Sequence, residues 1–315
     1  MSTMRKLPAL RFLPLSLPGT RILSRPASSP LRTITTTPAP PRRENRERVA
    51  IVTGAARGIG RSIALRLAQD GYHITASDLP ALQPQLDSLV SEITSSGTTK
   101  AHAHPADVTS PADIASLIHS SAATLGPLDT MVANAGIAQV KPLLDLTPED
   151  FRRVFDVNVA GVHHCFQAAA KQMIAQDLSH QTPGEEIRGR LIAAASIVAF
   201  KPFALLGHYS ASKWAVRGLS QVYAMELARH KITANAYAPG IVDTKMWELI
   251  DEGLGEKAGG RGKGEMMRQY SEELIALGRT SVPRDVAGLV SFLGSRDADY
   301  VTGQTFIVDG GIIFT

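Results

Sequence analysis

Eight residues, Thr53-Gly54-Ala55-Ala56-Arg57-Gly58-Ile59-Gly60, constrain this chain more than any other stretch. They follow a short apolar run, residues 49–53, that reads as a buried strand. They open residues 58–70, where Ile59, Ile63 and Leu67 fall on one helical face. A strand that becomes a helix within so few residues needs unusual backbone freedom. Gly54 permits the tight turn, Gly58 lets another molecule approach the backbone, and Gly60 allows close helix–strand packing. The new helix then offers unpaired N–H groups at its start, which suit a phosphate.

The same rhythm continues. Strand-like runs at 72–77, 101–106, 128–133, 190–195, 232–237 and 305–308 alternate with helical patterns at 82–95, 111–125, 148–176, 209–229 and 286–293. Ser110 is placed to cap the helix at 111–125. This order predicts an α/β fold, a doubly wound parallel sheet of Rossmann type covered by helices on both faces. No linker divides residues 48–315, so one domain is expected. Residues 253–264 hold six glycines and break the rhythm. They read as a mobile loop within a lid at about 241–278.

Asp78 ends the second strand, 24 residues beyond Gly54. A carboxylate there accepts hydrogen bonds from ribose hydroxyls and repels a 2′-phosphate, which favours NAD(H). Arg57 pulls toward NADP(H), since a guanidinium suits that phosphate.

Residues 1–43 carry eight Lys and Arg and no acid, so the formal +4 of the whole chain becomes −4 once those eight charges are removed. The basic balance therefore argues for no nucleic-acid partner. The segment's Arg, Ser, Thr and Pro composition fits a mitochondrial transit peptide; the alternative is a disordered extension. No apolar run is long enough to span a bilayer. The single cysteine, Cys165, excludes an internal disulfide and reads as a buried structural thiol. Adjacent His163 and His164 diverge around a helix, so no metal site is expected.

Tyr209 and Lys213 stand four apart on a predicted helix and share a face. A phenol is a poor proton donor or acceptor at neutrality, and a neighbouring ammonium lowers its pKa. Tyr209 is then a candidate general acid for carbonyl reduction or base for alcohol oxidation. Ser196 lies just past a strand's carboxyl end, placed to polarise a substrate oxygen.

With these residues, Asp107-Val108, Asn134-Ala135-Gly136, Asn158 and Pro239-Gly240 complete a set whose order resembles the short-chain dehydrogenase/reductase family over about residues 48–315. The resemblance implies NAD(P)-dependent hydride transfer with Asn158, Ser196, Tyr209 and Lys213 as the catalytic set. It implies that Asn158 binds a water linking Lys213 to solvent, and that Tyr209 and Lys213 also touch the nicotinamide ribose end. It gives cofactor contacts to Gly54, Arg57, Gly58, Ile59, Gly60, Asp78, Asp107, Val108, Asn134, Gly136, Pro239, Gly240, Val242 and Thr244. It also implies a homo-oligomer, dimer or tetramer, built on the helices at 148–176 and 209–229. Residues 240–251 are similar to the lid of diacetyl/acetoin reductases. Phe200, Phe203, Leu205 and Leu206 are expected to make the substrate pocket apolar. Three readings stay open: reduction of a small ketone or diketone, reduction of a larger substrate such as a 3-oxoacyl thioester, and a dinucleotide sensor without turnover.

Overall fold

The computed structural model describes residues 47–95, 97–176, 187–257, 259–260 and 262–315. The expected transit peptide at 1–43 lies outside the described residues. Strand β1 (Arg48–Thr53) alternates its side chains between two apolar layers, with Val49 and Ile51 on one face and Ala50 and Val52 on the other, all at 0% exposure. A strand buried on both faces belongs at the centre of a covered parallel sheet. There β1 pairs in parallel with β2 (Tyr72–Ser77) and β4 (Leu128–Ala133). Further parallel pairings add β3 (Ala101–Ala103), β5 (Gly189–Ala194), β6 (Ile232–Pro239) and β7 (Thr305–Val308), in the order β3-β2-β1-β4-β5-β6-β7.

Helices α1 (Gly58–Gln69) and α2 (Gln83–Ser95) cover one face, together with α9 (Pro283–Gly294). Their Ile63, Leu67, Leu86, Leu89 and Val290 are fully buried there. The other face takes α3 (Pro111–Leu125), α5 (Gly161–Ala175) and α6 (Gly207–Leu227) through Ile114, Leu117, Phe166 and Val216. Each such side chain stabilises the fold by roughly 1.5–3 kcal/mol relative to exposure. As expected, Ser110 caps α3, its hydroxyl accepting from the Asp113 N–H at 3.2 Å.

Two elements differ from the sequence expectation. The segment predicted as one helix over 148–176 is α4 (Pro148–Phe155), a single π turn at 156–160, then α5. Inserted π turns bulge a helix and redirect one side chain, here Asn158. The glycine-rich stretch is only partly loop, with Gly259, Gly260 and Gly262 between two helices. Gly253 and Gly255 lie inside α7 (Lys245–Lys257), and Gly264 is the N-cap of α8 (Glu265–Leu274). Gly253 serves close packing, because a Cβ there would sit 2.8 Å from the Val140 Cβ.

Candidate active site

Strand order grows outward from β1 to β3, then switches to β4 on the other side. A crevice opens at that switch, outside the carboxyl ends of β1 and β4. A cavity of about 1170 Å³ occupies it. Every predicted cofactor and catalytic residue lines this cavity except Asn158, which lies behind it.

The β1–α1 turn is built by Gly54 and Gly58, whose φ values of 65° and 57° lie in the region that favours glycine. Gly60 has a different reason: a Cβ there would lie 2.1 Å from the Gly54 carbonyl oxygen. Helix α1 begins without a side-chain cap, so its first-turn N–H groups remain available to an anion at the cavity floor. Asp78 accepts from Ala56 N at 3.0 Å and Leu79 N at 2.9 Å, one bond per carboxylate oxygen. Lone pairs remain on both oxygens for ribose hydroxyls. Asn134 donates to the carbonyls of Thr53 and Gly54 at 2.9 and 3.2 Å, which fixes the turn to the end of β4. The open glycine turn, the uncapped helix and the acid together fit a dinucleotide.

Ser196 and Tyr209 meet at the far end, where the Ser196 hydroxyl is near enough to stabilise the phenolate form of Tyr209. Both are nearly buried, at 8% and 7% exposure. Lys213 is buried one turn further along α6. Its Nζ donates to the Ala194 carbonyl at 2.8 Å and lies 5.7 Å from the Tyr209 ring centre. Burial pushes the Tyr209 phenol up to about 12, against the lowering effect of Ser196. Burial also draws Lys213 down to about 8. This corrects the sequence argument that the ammonium would lower the phenol. Desolvation dominates, and the Lys213 ammonium is bonded to the Ala194 carbonyl.

Asn158 is fully buried and committed to protein: it accepts from Ile137 N and donates to Ile137 O, both at 2.9 Å, and donates to the Ser212 hydroxyl at 3.0 Å. A Cβ on Gly136 would sit 3.2 Å from its Oδ1 and 3.4 Å from Lys213 Nζ. A side chain at Gly136 would therefore crowd both groups.

Residues 48–255 match the family model for short chain dehydrogenases. The chain is a short-chain dehydrogenase. It is 47% identical over 267 residues to an L-2,3-butanediol dehydrogenase of Corynebacterium glutamicum, covering 85% of this chain and 99% of that protein. A diacetyl reductase [(S)-acetoin forming] of Staphylococcus epidermidis is 39% identical, with coverage of 85% and 99%. Among solved structures, a short-chain dehydrogenase/reductase from Mycobacterium marinum superposes with a TM-score of 0.72 at 32% identity, covering 85% of this chain and 96% of that one. A blue fluorescent protein from a metagenomic library, in complex with NADPH, gives 0.71 at 33%, covering 85% and 98%. The chain is accordingly an NAD(P)-dependent oxidoreductase.

Elsewhere this dehydrogenase departs from the sequence reading at Phe200. Phe200 does not join the pocket; its ring lies under the Arg217 guanidinium at 4.1 Å. Cys165 is buried, with its thiol pushed up to about 12, in line with a structural role. His163 and His164 part as expected, to the Tyr223 hydroxyl and the Val108 carbonyl. Among the described residues no helix is long and apolar enough to cross a membrane, and no acid, His or Cys cluster has a metal-binding arrangement. Sequence reasoning missed Asp251, a 2%-exposed acid on α7 that clamps α8, and Tyr237, which holds Asn134. Tyr237 sits in no motif, and Asp251 ends the 240–251 stretch without being singled out there.

Proposed function

We propose that this short-chain dehydrogenase reduces a vicinal ketone of the diacetyl/acetoin type, with NAD(H) preferred and Ser196, Tyr209 and Lys213 as its catalytic group. The observation that carries the reading is that Ser196, Tyr209 and Lys213 line one end of the cleft whose other end is floored by the glycine turn. The names of the two bacterial relatives support the substrate class.

The bound dinucleotide supplies the hydride. The protein's residues do the rest. Ser196 holds the carbonyl oxygen by hydrogen bonding. Tyr209, protonated at neutral pH, donates its proton to that oxygen as negative charge develops there. Lys213 restores the balance of charge, and a proton relay to solvent would run from Lys213 past Gly136, whose missing side chain leaves both Lys213 Nζ and Asn158 Oδ1 uncrowded. Asp107 and Val108 flank the adenine end; Pro239, Gly240, Val242 and Thr244 close the nicotinamide end. The pair α7 and α8 acts as the substrate lid.

Asp78 supports the NAD(H) preference, since a second negative charge beside its carboxylate would be repelled. Exposed Trp214, Val222 and Met225 on α6 and Phe151 on α4 support a homo-oligomer through that face. Monomeric mass in light scattering at micromolar concentration would refute the assembly. Residues 1–43 direct import into mitochondria on this reading, and a reporter fused to them that stays in the cytosol would overturn it.

The deciding experiment assays diacetyl and acetoin with NADH and NADPH, on wild type and Tyr209→Phe. The variant is expected to lose turnover by at least 100-fold while still quenching or shifting NADH fluorescence. Full turnover in the variant would sink the catalytic assignment. Equal kcat/KM with both dinucleotides would sink the cofactor preference.

A further inference from the structure

The substrate end of the cleft has a chemistry that the diacetyl reading does not use. Beyond the Ser196–Tyr209 pair the wall is formed by Ile197, Val198, Leu206 and Ile250, each between 3% and 5% exposed, with Phe203 and Trp247 partly buried beside them. They arrive from three places: the turn after β5, the run into α6, and α7. All six line the same cavity as the reacting hydroxyls.

Several polar groups near this wall are already committed. Ala138 and Val140 pack against it, while Gln139 between them is turned away to bond Asp150 at 2.9 Å and His208 at 3.1 Å. The Trp247 indole N–H is directed to the Gly240 carbonyl at 3.4 Å. Lys245 and Lys263, at the lid edge, both pair with Glu248. Leu205 is held at a φ of 65°, which is strained for a leucine, with its carbonyl accepting from Lys141 N at 2.8 Å. It too lines the cavity. Strain of this kind persists where a surrounding structure imposes it, and it concentrates at ligand sites.

We propose that the non-reacting arm of the substrate is an alkyl group longer than methyl, seated in this chamber. The enzyme is then a reductase of alkyl-extended vicinal ketones: the reacting oxygen meets Ser196 and Tyr209, and the chain beyond replaces water against Ile197, Val198, Leu206 and Ile250. A methyl group leaves most of that apolar surface wet. This inference rests on the reading of the cleft as a ketone-reducing site.

The test uses the full chain with NADH and four diketones: 2,3-butanedione, 2,3-pentanedione, 2,3-hexanedione and 2,3-heptanedione. Each added methylene is expected to raise kcat/KM by about fourfold, mainly through KM, until the chamber is full. Reduction of butanedione with a flat or falling series overturns the alkyl arm and leaves the reductase reading standing. Turnover of none of the four overturns both. Phe203→Asn, at a partly exposed wall position, is expected to cut the gain per methylene to less than twofold; an unchanged gain also overturns the proposal. Tyr270 lines the cavity from α8, so Tyr270→Phe checks for a second polar anchor. An unchanged series supports the alkyl arm, and a loss confined to butanedione overturns it. If Phe203→Asn fails to fold, the wild-type series decides.

Discussion

The Tyr237 hydroxyl donates to Asn134 Oδ1 at 2.8 Å, across the ends of β6 and β4. Tyr237 is fully buried, and burial holds its phenol well above the ordinary range. The bond orients the Asn134 amide so that its nitrogen faces the Thr53 and Gly54 carbonyls. A tyrosine far from the phosphate turn thus sets that turn's geometry. Tyr237→Phe leaves the half-buried Asn134 oxygen without this partner, at a cost of about 1 kcal/mol. Denaturant unfolding should show this loss, and NADH titration should show a several-fold weaker Kd. Unchanged affinity with lowered stability would separate the two roles and remove Asn134 from dinucleotide binding.

Gly60→Ala is a sharper perturbation. The added Cβ meets the Gly54 carbonyl oxygen and, at 2.5 Å, the Asn134 side-chain nitrogen. Backbone must move, because the first obstacle is main chain. The expected result is loss of measurable dinucleotide binding, with unfolding destabilised by about 1–3 kcal/mol, as overpacked sites are. Wild-type affinity by fluorescence titration would show that the turn relaxes freely.

The sheet was legible because its strands are short, apolar and regularly spaced, and the glycine turn announced β1 and α1. Tyr209 and Lys213 were legible because a spacing of four has one meaning on a helix. Asn158 was only half legible: its identity was noted, but nothing in the periodicity of 148–176 marks a π turn. The glycines of α7 misled, since composition cannot distinguish a flexible glycine from one that makes room, as Gly253 does under Val140. Phe200 was read into the pocket by proximity in sequence, whereas its ring pairs with Arg217, seventeen residues on. Tyr237 gave no signal because every residue of β6 is buried, so alternation carries no information.

Asp251 joins α7 to α8. One carboxylate oxygen accepts from Gly264 N at 2.5 Å and the other from Met267 N at 2.7 Å, at the N-terminus of α8. A carboxylate there suits both the orphan N–H groups and the helix dipole. Asn offers only one accepting oxygen and turns an NH₂ toward a donor. Asp251→Asn should therefore separate α7 from α8. The expected signature is a higher KM for the ketone, dinucleotide Kd within about twofold, and faster hydrogen exchange over residues 259–267. Unchanged exchange would show that α7 and α8 are held together by their apolar contacts alone.

Lys213 makes stability depend on pH in an unusual direction. It is 3% exposed, and burial draws its ammonium from 10.5 down to about 8. Below pH 8 both folded and unfolded chains carry the charge, and the folded chain bears the full desolvation penalty. Between pH 8 and 10.5 the folded chain has released the proton and the unfolded chain still holds it, so stability rises with pH. The penalty relieved across that window is roughly 3 kcal/mol. Lys213→Met lacks it at every pH. Denaturant unfolding of both proteins at pH 7, 8, 9 and 10 should show wild type gaining on the variant from pH 8 upward. Parallel curves would mean that the ammonium is better solvated in the folded protein than its burial indicates, and the lysine would titrate near its ordinary value.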